Sequence, residues 1–154
     1  MPNLSMSEHP IHHSNGYLLS QICKLYRALA NQYLDVVGVH QGQELILCEL
    51  AQRNGQAQSE LAGRLCVQPP TLTNALNSME KAGLVQRRAD GADQRVSRVY
   101  LTPAAEEVQP HINEIWEAIE ERAFANLSPD ERTTLYSLLN RVYHNLTSAR
   151  DGET

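Results

Sequence analysis

The stretch from Gln58 to Thr102, QSELAGRLCVQPPTLTNALNSMEKAGLVQRRADGADQRVSRVYLT, constrains this chain more than any other. Leu61, Ala62 and Leu65 fall on one face at helical spacing. Pro69 and Pro70 then mark a second helix start, since a proline in the first turn forfeits no intrahelical hydrogen bond. That helix is predicted from about Pro70 to Ala82, with Leu72, Ala75, Leu76 and Met79 apolar and Thr71, Thr73, Asn74, Asn77 and Ser78 polar. Gly83 closes it at the usual C-terminal position. LVQRR and VSRVYL alternate like short strands around the turn-rich ADGAD. Helix, turn, helix and two-stranded wing in that order make a winged helix-turn-helix.

The order has a mechanical use. A helix fits the major groove of B-DNA, and short polar side chains near its start reach base edges and phosphates. A hairpin bearing arginines can grip the flanking minor groove, whose negative potential attracts guanidinium groups. Arg87, Arg88, Arg95 and Arg98 lie in or beside the hairpin, opposed there by Asp90 and Asp93. Such a cluster can also be a solvated hairpin without a ligand. Here it follows a helix whose outer face is rich in hydroxyl and amide groups, so Thr71, Thr73, Asn74 and Asn77 are read as the groove-facing set.

QSELAGRL, PTLTNALNSMEKAGLVQRR and DQRVSRVYLT resemble the multiple antibiotic resistance regulator (MarR) family of bacterial transcription factors. Asp93-x-Arg95 followed by Leu101-Thr102 is similar to that family's wing signature, and a weaker likeness runs from about Tyr17 into the C-terminal helix. The resemblance implies a homodimer on a pseudo-palindromic double-stranded DNA operator, with Arg95 in the minor groove and Asp93 holding that arginine in place. It also implies control by a small, often aromatic, ligand. The sequence departs from the family where arginines are common on the recognition helix, carrying Asn74 and Ser78 instead. Ala57 and Gln68 stand at positions where small polar residues would cap the two helices, each an expected loss on the order of 1 kcal/mol.

The chain has 13 basic and 18 acidic residues, a net charge of −5, which by itself argues against nucleic acid. Distribution reverses the argument. Residues 104–131 hold Glu106, Glu107, Glu114, Glu117, Glu120, Glu121, Asp130 and Glu131 against Arg122, while the wing is basic. Operator binding by such a molecule is expected to depend strongly on salt. Cys23, Cys48 and Cys66 form neither a zinc spacing nor a secreted disulfide framework, and Cys48 and Cys66 read as buried small residues. The start of the chain has no signal-peptide pattern and no run long enough to span a membrane, so a cytoplasmic protein is expected.

Residues 1–15, with His9, His12 and His13, read as a flexible arm. Leu18, Ile22, Leu25, Leu29 and Tyr33 then recur at helical spacing, widened by Tyr26, Ala30 and Val37 beyond what one small core requires. A second helix is expected from about Gly42 to Arg53, with Leu45, Ile46, Cys48, Leu50 and Ala51 mostly inward. A helix from Pro103 to about Asn126 should kink at Pro110, which lacks a backbone donor. Ser128-Pro129-Asp130-Glu131 is a capping box that opens the last helix, striped by Leu135, Leu138, Leu139, Val142 and Leu146. The fold expected is mostly α with a small β-hairpin. Residues 16–38 and 103–148 form a helical dimerisation region, and 39–102 form the DNA-binding domain. First and last helices too apolar for a monomer suit a two-fold dimer that sets two recognition helices one DNA turn apart.

For the input signal, Tyr26, Tyr33, His40 and Trp116 could line a ligand crevice, and each could equally be ordinary core. Cys23, beside Lys24 and one turn before Arg27, is the candidate for an alternative redox input. No metal site and no cofactor is expected, because the histidines are scattered and no phosphate loop or paired catalytic carboxylates occur. The chain therefore reads as a regulator, most simply a repressor, and not as an enzyme. A winged-helix protein-interaction module that never touches DNA is the remaining rival.

Overall fold

The computed structural model describes residues 10–152. The expectation of a flexible arm over residues 1–15 falls largely outside them, but Pro10–His13 form a 3-10 turn and the first helix begins at once after it. Ser14 is the reason. Its hydroxyl oxygen accepts from the Tyr17 N–H at 3.1 Å while its O–H donates to the Ile11 carbonyl at 2.8 Å, so turn and helix share one cap.

The elements are α1 (Asn15–Leu34), α2 (Gln43–Gln52), β1 (Gln56–Ala57), α3 (Gln58–Arg64), α4 (Pro69–Lys81), β2 (Val85–Ala89), β3 (Ser97–Leu101), α5 (Pro103–Ala123) and α6 (Pro129–Asp151). The wing is larger than the expected hairpin. β1 pairs antiparallel with β3, Gln56 opposite Val99 and Ala57 opposite Arg98, giving a three-stranded sheet in the order β1-β3-β2. Two residues between a turn and a helix are too short for any alternation to announce them.

The chain divides into two compact units, residues up to Glu117 and residues from Ala118 onward, the boundary falling inside α5. In the first unit Leu47, Leu50, Leu61, Leu72, Leu76, Met79 and Val99 are fully buried. They come from α2, α3, α4 and the sheet, so the helix-turn-helix is built on one apolar centre. In α2 it is Leu47 that faces inward, whereas Leu45 is 44% exposed and Ala51 is exposed. Ala30 and Leu34 form the buried side of α1, with Tyr26, Leu29 and Tyr33 half-buried. Leu18, Ile22 and Leu25, part of the apolar face expected to serve both the core and a partner subunit, lie exposed in the single chain. Helix α5 runs unbroken through Pro110, and Ile112 is fully buried.

In the second unit the capping box is complete. Ser128 accepts from the Glu131 N–H at 3.3 Å, and Glu131 accepts from the Ser128 N–H at 2.8 Å. Arg132 donates to the Phe124 and Leu127 carbonyls, which ties the start of α6 to the end of α5. Leu138, Leu139, Val142 and Leu146 are exposed along α6.

Both helices of the helix-turn-helix end in the same closure. After α4, the Gly83 N–H bonds the Glu80 carbonyl and the Leu84 N–H bonds the Met79 carbonyl, with Gly83 at φ +74°. After α3, the Cys66 N–H bonds the Gly63 carbonyl and the Val67 N–H bonds the Ala62 carbonyl, with Cys66 at φ +54°. This is the Schellman pattern, for which the left-handed residue is usually glycine. Cys66 is exposed, and Cys48 is half-buried, so neither is the buried cysteine the sequence suggested.

Candidate nucleic-acid interface

Helix α4 presents one side to the core and the other to solvent. Leu72, Leu76 and Met79 are buried, while Thr71, Asn74, Asn77 and Ser78 are exposed. Gln68 makes no side-chain cap, and Pro69 and Pro70 carry no N–H, so the start of the helix offers an anion fewer donors than most. Thr73 is already engaged. It donates to the Pro69 carbonyl at 3.0 Å and accepts from Gln58 Nε2 at 2.9 Å, linking α3 to α4. Thr71 and Asn74 make no side-chain hydrogen bond among the described residues, which leaves each its own full polar capacity.

The four arginines differ in what holds them. Arg87 on β2 donates through Nη2 to Glu80 Oε2 at 2.6 Å and to Asn77 Oδ1 at 2.5 Å, and its backbone N–H donates to Glu80 Oε1 at 2.9 Å. The same contacts hold the Glu80 carboxyl below its usual range, chiefly through the Arg87 side-chain hydrogen bond. Arg88 lies over the Tyr100 ring at 4.9 Å and donates to Gln86 Oε1 at 2.9 Å. Arg98, directly opposite Arg88 in the β2–β3 register, pairs through Nε with Asp90 and donates through Nη1 to the Gly55 carbonyl at 3.0 Å. That pairing brings Asp90 to about 2, the Arg98 hydrogen bond first and the Ala92 and Asp93 N–H groups after it. Two arginines that would repel across the ladder are thus drawn apart, one onto a ring and one onto a carboxylate.

Arg95 is the exception. It is exposed at the wing turn, and its guanidinium has no hydrogen bond or ion pair among the described residues. Asp93 was expected to hold this side chain. Instead Asp93 Oδ1 accepts from the Arg95 backbone N–H at 3.0 Å, fixing the turn and leaving the guanidinium loose. The hairpin closes through Val96 N–H to Asp93 O and Asp90 N–H to Val96 O, at 3.0 and 2.8 Å. Arg95 borders a cleft of about 400 Å³ with Gln58, Ser59, Pro69, Leu72 and Ser97, between the starts of α3 and α4 and the wing.

Of the proposed ligand residues, Tyr26 and Trp116 come together, their rings 5.7 Å apart and tilted by 34°. Tyr33 is half-buried, and His40 is exposed with its backbone N–H donated to Gln43 Oε1. Sequence reasoning missed Glu80, which holds Arg87, and Asn54, whose Oδ1 accepts from the Leu101 N–H at 2.9 Å and pins β3. It also missed Glu44, 5% exposed on α2, whose carboxyl is pushed up by burial. Cys23 is exposed and borders an open groove with Lys24 and Arg27. Among the described residues no group of three His, Cys, Asp or Glu side chains could hold a metal ion, and no helix is long and apolar enough to cross a membrane.

A buried-faced helix with an amide and hydroxyl surface, followed by a three-stranded wing with an arginine at its turn, defines a winged helix-turn-helix protein. The MarR family model matches residues 40–97, which is α2 through the start of β3. A MarR-family transcriptional regulator from Silicibacter pomeroyi is 30% identical, with 88% of this chain and 91% of that one covered and a TM-score of 0.73. A probable transcriptional regulator from Pseudomonas aeruginosa is 28% identical over 86% and 98%, with a TM-score of 0.80. A mutant MarR from E. coli complexed with operator DNA is 26% identical over 82% and 91%, with a TM-score of 0.78. The chain belongs to the MarR family, whose members are transcriptional regulators and not enzymes.

Proposed function

We propose that this protein is a homodimeric, cytoplasmic repressor that binds a pseudo-palindromic operator in double-stranded DNA and leaves it when a small aromatic ligand binds. The observation that carries the DNA-binding reading is Arg95, an exposed guanidinium without an intramolecular partner among the described residues, on a wing beside the exposed face of α4. Thr71, Asn74 and Asn77 would meet base edges, and Arg95 and Arg88 would meet the backbone or the minor groove. Thr73, Asp93 and Arg98 belong to the same surface but spend their hydrogen bonds on building it. The E. coli relative seen with operator DNA supports this reading. The dimer is supported by two exposed apolar stripes, Leu18, Ile22 and Leu25 on α1 and Leu138, Leu139, Val142 and Leu146 on α6. The Tyr26–Trp116 ring pair favours an aromatic ligand.

A second reading replaces the ligand by oxidation at Cys23, favoured by the exposure of that thiol beside Lys24 and Arg27. The test is fluorescence anisotropy on the DNA upstream of the protein's own gene across a salt series. Arg95→Ala should lower the slope of log K against log salt by about 0.9 per protomer. Unchanged affinity and slope in the variant would refute the assignment of Arg95 and favour the protein-interaction rival. Release by aromatic acids in reductant supports the ligand reading, whereas release by peroxide that Cys23→Ser abolishes supports the other.

A further inference from the structure

Resting on the DNA-binding reading, we infer that Arg87 is a positioning residue that fixes Asn77 as a hydrogen-bond donor and so sets its base preference. The argument starts from what each group can do. A guanidinium carries N–H donors and no acceptor, so the atom of Asn77 that faces Arg87 at 2.5 Å has to be the amide oxygen. The orientation of the amide follows from this chemistry. Its Nδ2 makes no hydrogen bond among the described residues, and the residue is exposed on α4.

Arg87 is itself held. Glu80, one turn further along α4, accepts from the same Nη2 at 2.6 Å and from the Arg87 backbone N–H at 2.9 Å. The backbone bond sets the position of β2 against α4, and the side-chain bond holds Nη2 where it also reaches Asn77. The side chains of Arg87 and Glu80 keep 23% and 33% of their surface, so water competes only in part for this pair. The result is a three-residue bridge from wing to recognition helix that ends on the Asn77 oxygen.

A free asparagine pairs bidentately with adenine, accepting from N6 and donating to N7. Arg87 turns the Asn77 oxygen toward the wing, so the end of the planar amide directed away from that contact is the Nδ2 donor. An amide that meets a base through its donor end favours guanine, which offers N7 and O6 side by side, over adenine, which offers one acceptor and one donor. Asn74, three residues earlier and without a side-chain bond among the described residues, keeps both halves and is the adenine reader of the face.

In vitro selection from a randomised operator library, followed by binding of the selected DNA across a salt series, tests this on the full-length protein. Wild type is compared with Arg87→Met and with Arg87→Lys, which keeps the charge but ends one atom short of the Nη2 that reaches Asn77 and Glu80. The inference expects both variants to shift one position of each half-site from guanine toward adenine by roughly fivefold or more. It also expects both to leave the salt slope unchanged. A phosphate contact by Arg87 predicts the reverse: Arg87→Met weakens all sequences alike and lowers the slope by about 1 per protomer, and Arg87→Lys restores both. That pattern overturns the inference, as does an unaltered base preference in both variants. A wild-type protein that enriches no sequence sinks the DNA-binding reading itself, and the inference with it.

Discussion

Cys66 and Gly83 occupy the same place in two copies of one motif, so exchanging their residue types should move stability in opposite directions. At φ +54° a side chain with a Cβ crowds its own carbonyl, a cost of roughly 1–2 kcal/mol for an L-residue. Glycine escapes that cost but loses roughly 0.5–1 kcal/mol more chain entropy on folding. Cys66 is exposed, so Cys66→Gly surrenders little buried area, and the difference leaves about 0.5–1 kcal/mol of stabilisation. At Gly83, φ is +74° and a Cβ would meet nothing within 4 Å, so Gly83→Ala isolates the backbone term and should cost a similar amount. For a chain of this size 1 kcal/mol moves Tm by roughly 2–4 °C. Thermal unfolding followed by circular dichroism at one fixed protomer concentration should place Cys66→Gly above wild type and Gly83→Ala below it. A lowered Tm for Cys66→Gly would refute the reasoning, and would mean that the cysteine side chain contributes more than its conformation costs.

Two further predictions concern single buried or crowded positions. Burial raises the Glu44 carboxyl above its ordinary value, so the native protein holds that proton to higher pH than the unfolded chain does. Its contribution is fully present below the unfolded value and is lost as pH rises through the raised one. Urea unfolding across pH should therefore give Glu44→Gln a flatter profile than wild type above the ordinary carboxylate range; superimposable profiles would refute it. Gly55→Ala should cost about 2–4 kcal/mol, because Gly55 sits at φ +76° and an added Cβ would come within 2.7 Å of the Tyr100 ring. Gly38→Ala is its control, with a similar φ of +72° and open space around it, and should lose only about 1 kcal/mol in the same assay.

Features governed by near neighbours were legible in the sequence. The capping box at Ser128, the proline start of α4 and the glycine closure at Gly83 each involve partners within a few residues. Side-chain periodicity likewise located α1 through α6, and the order of elements identified the winged helix-turn-helix before any distance was known. Composition at the wing identified four candidate arginines because charge is a property of residue type.

What became of those arginines was decided by the tertiary structure. Arg87 is committed by Glu80, and Arg98 by Asp90 and by Gly55 from across the sheet, whereas Arg95 is left exposed at a turn that its neighbour Asp93 holds through the backbone. The inner face of α1 was settled in the same way. Leu18, Ile22 and Leu25 have the spacing of a core stripe, yet Ala30 and Leu34 are the residues buried. Helical period alone fixes which side chains share a face, while the packing of distant elements fixes which face meets the core. Strand β1 is the same case, since two residues become a strand only because β3 arrives beside them. Hydrogen-bond partners remote in sequence carry no local signature, and the availability of a side chain for DNA depends on those partners.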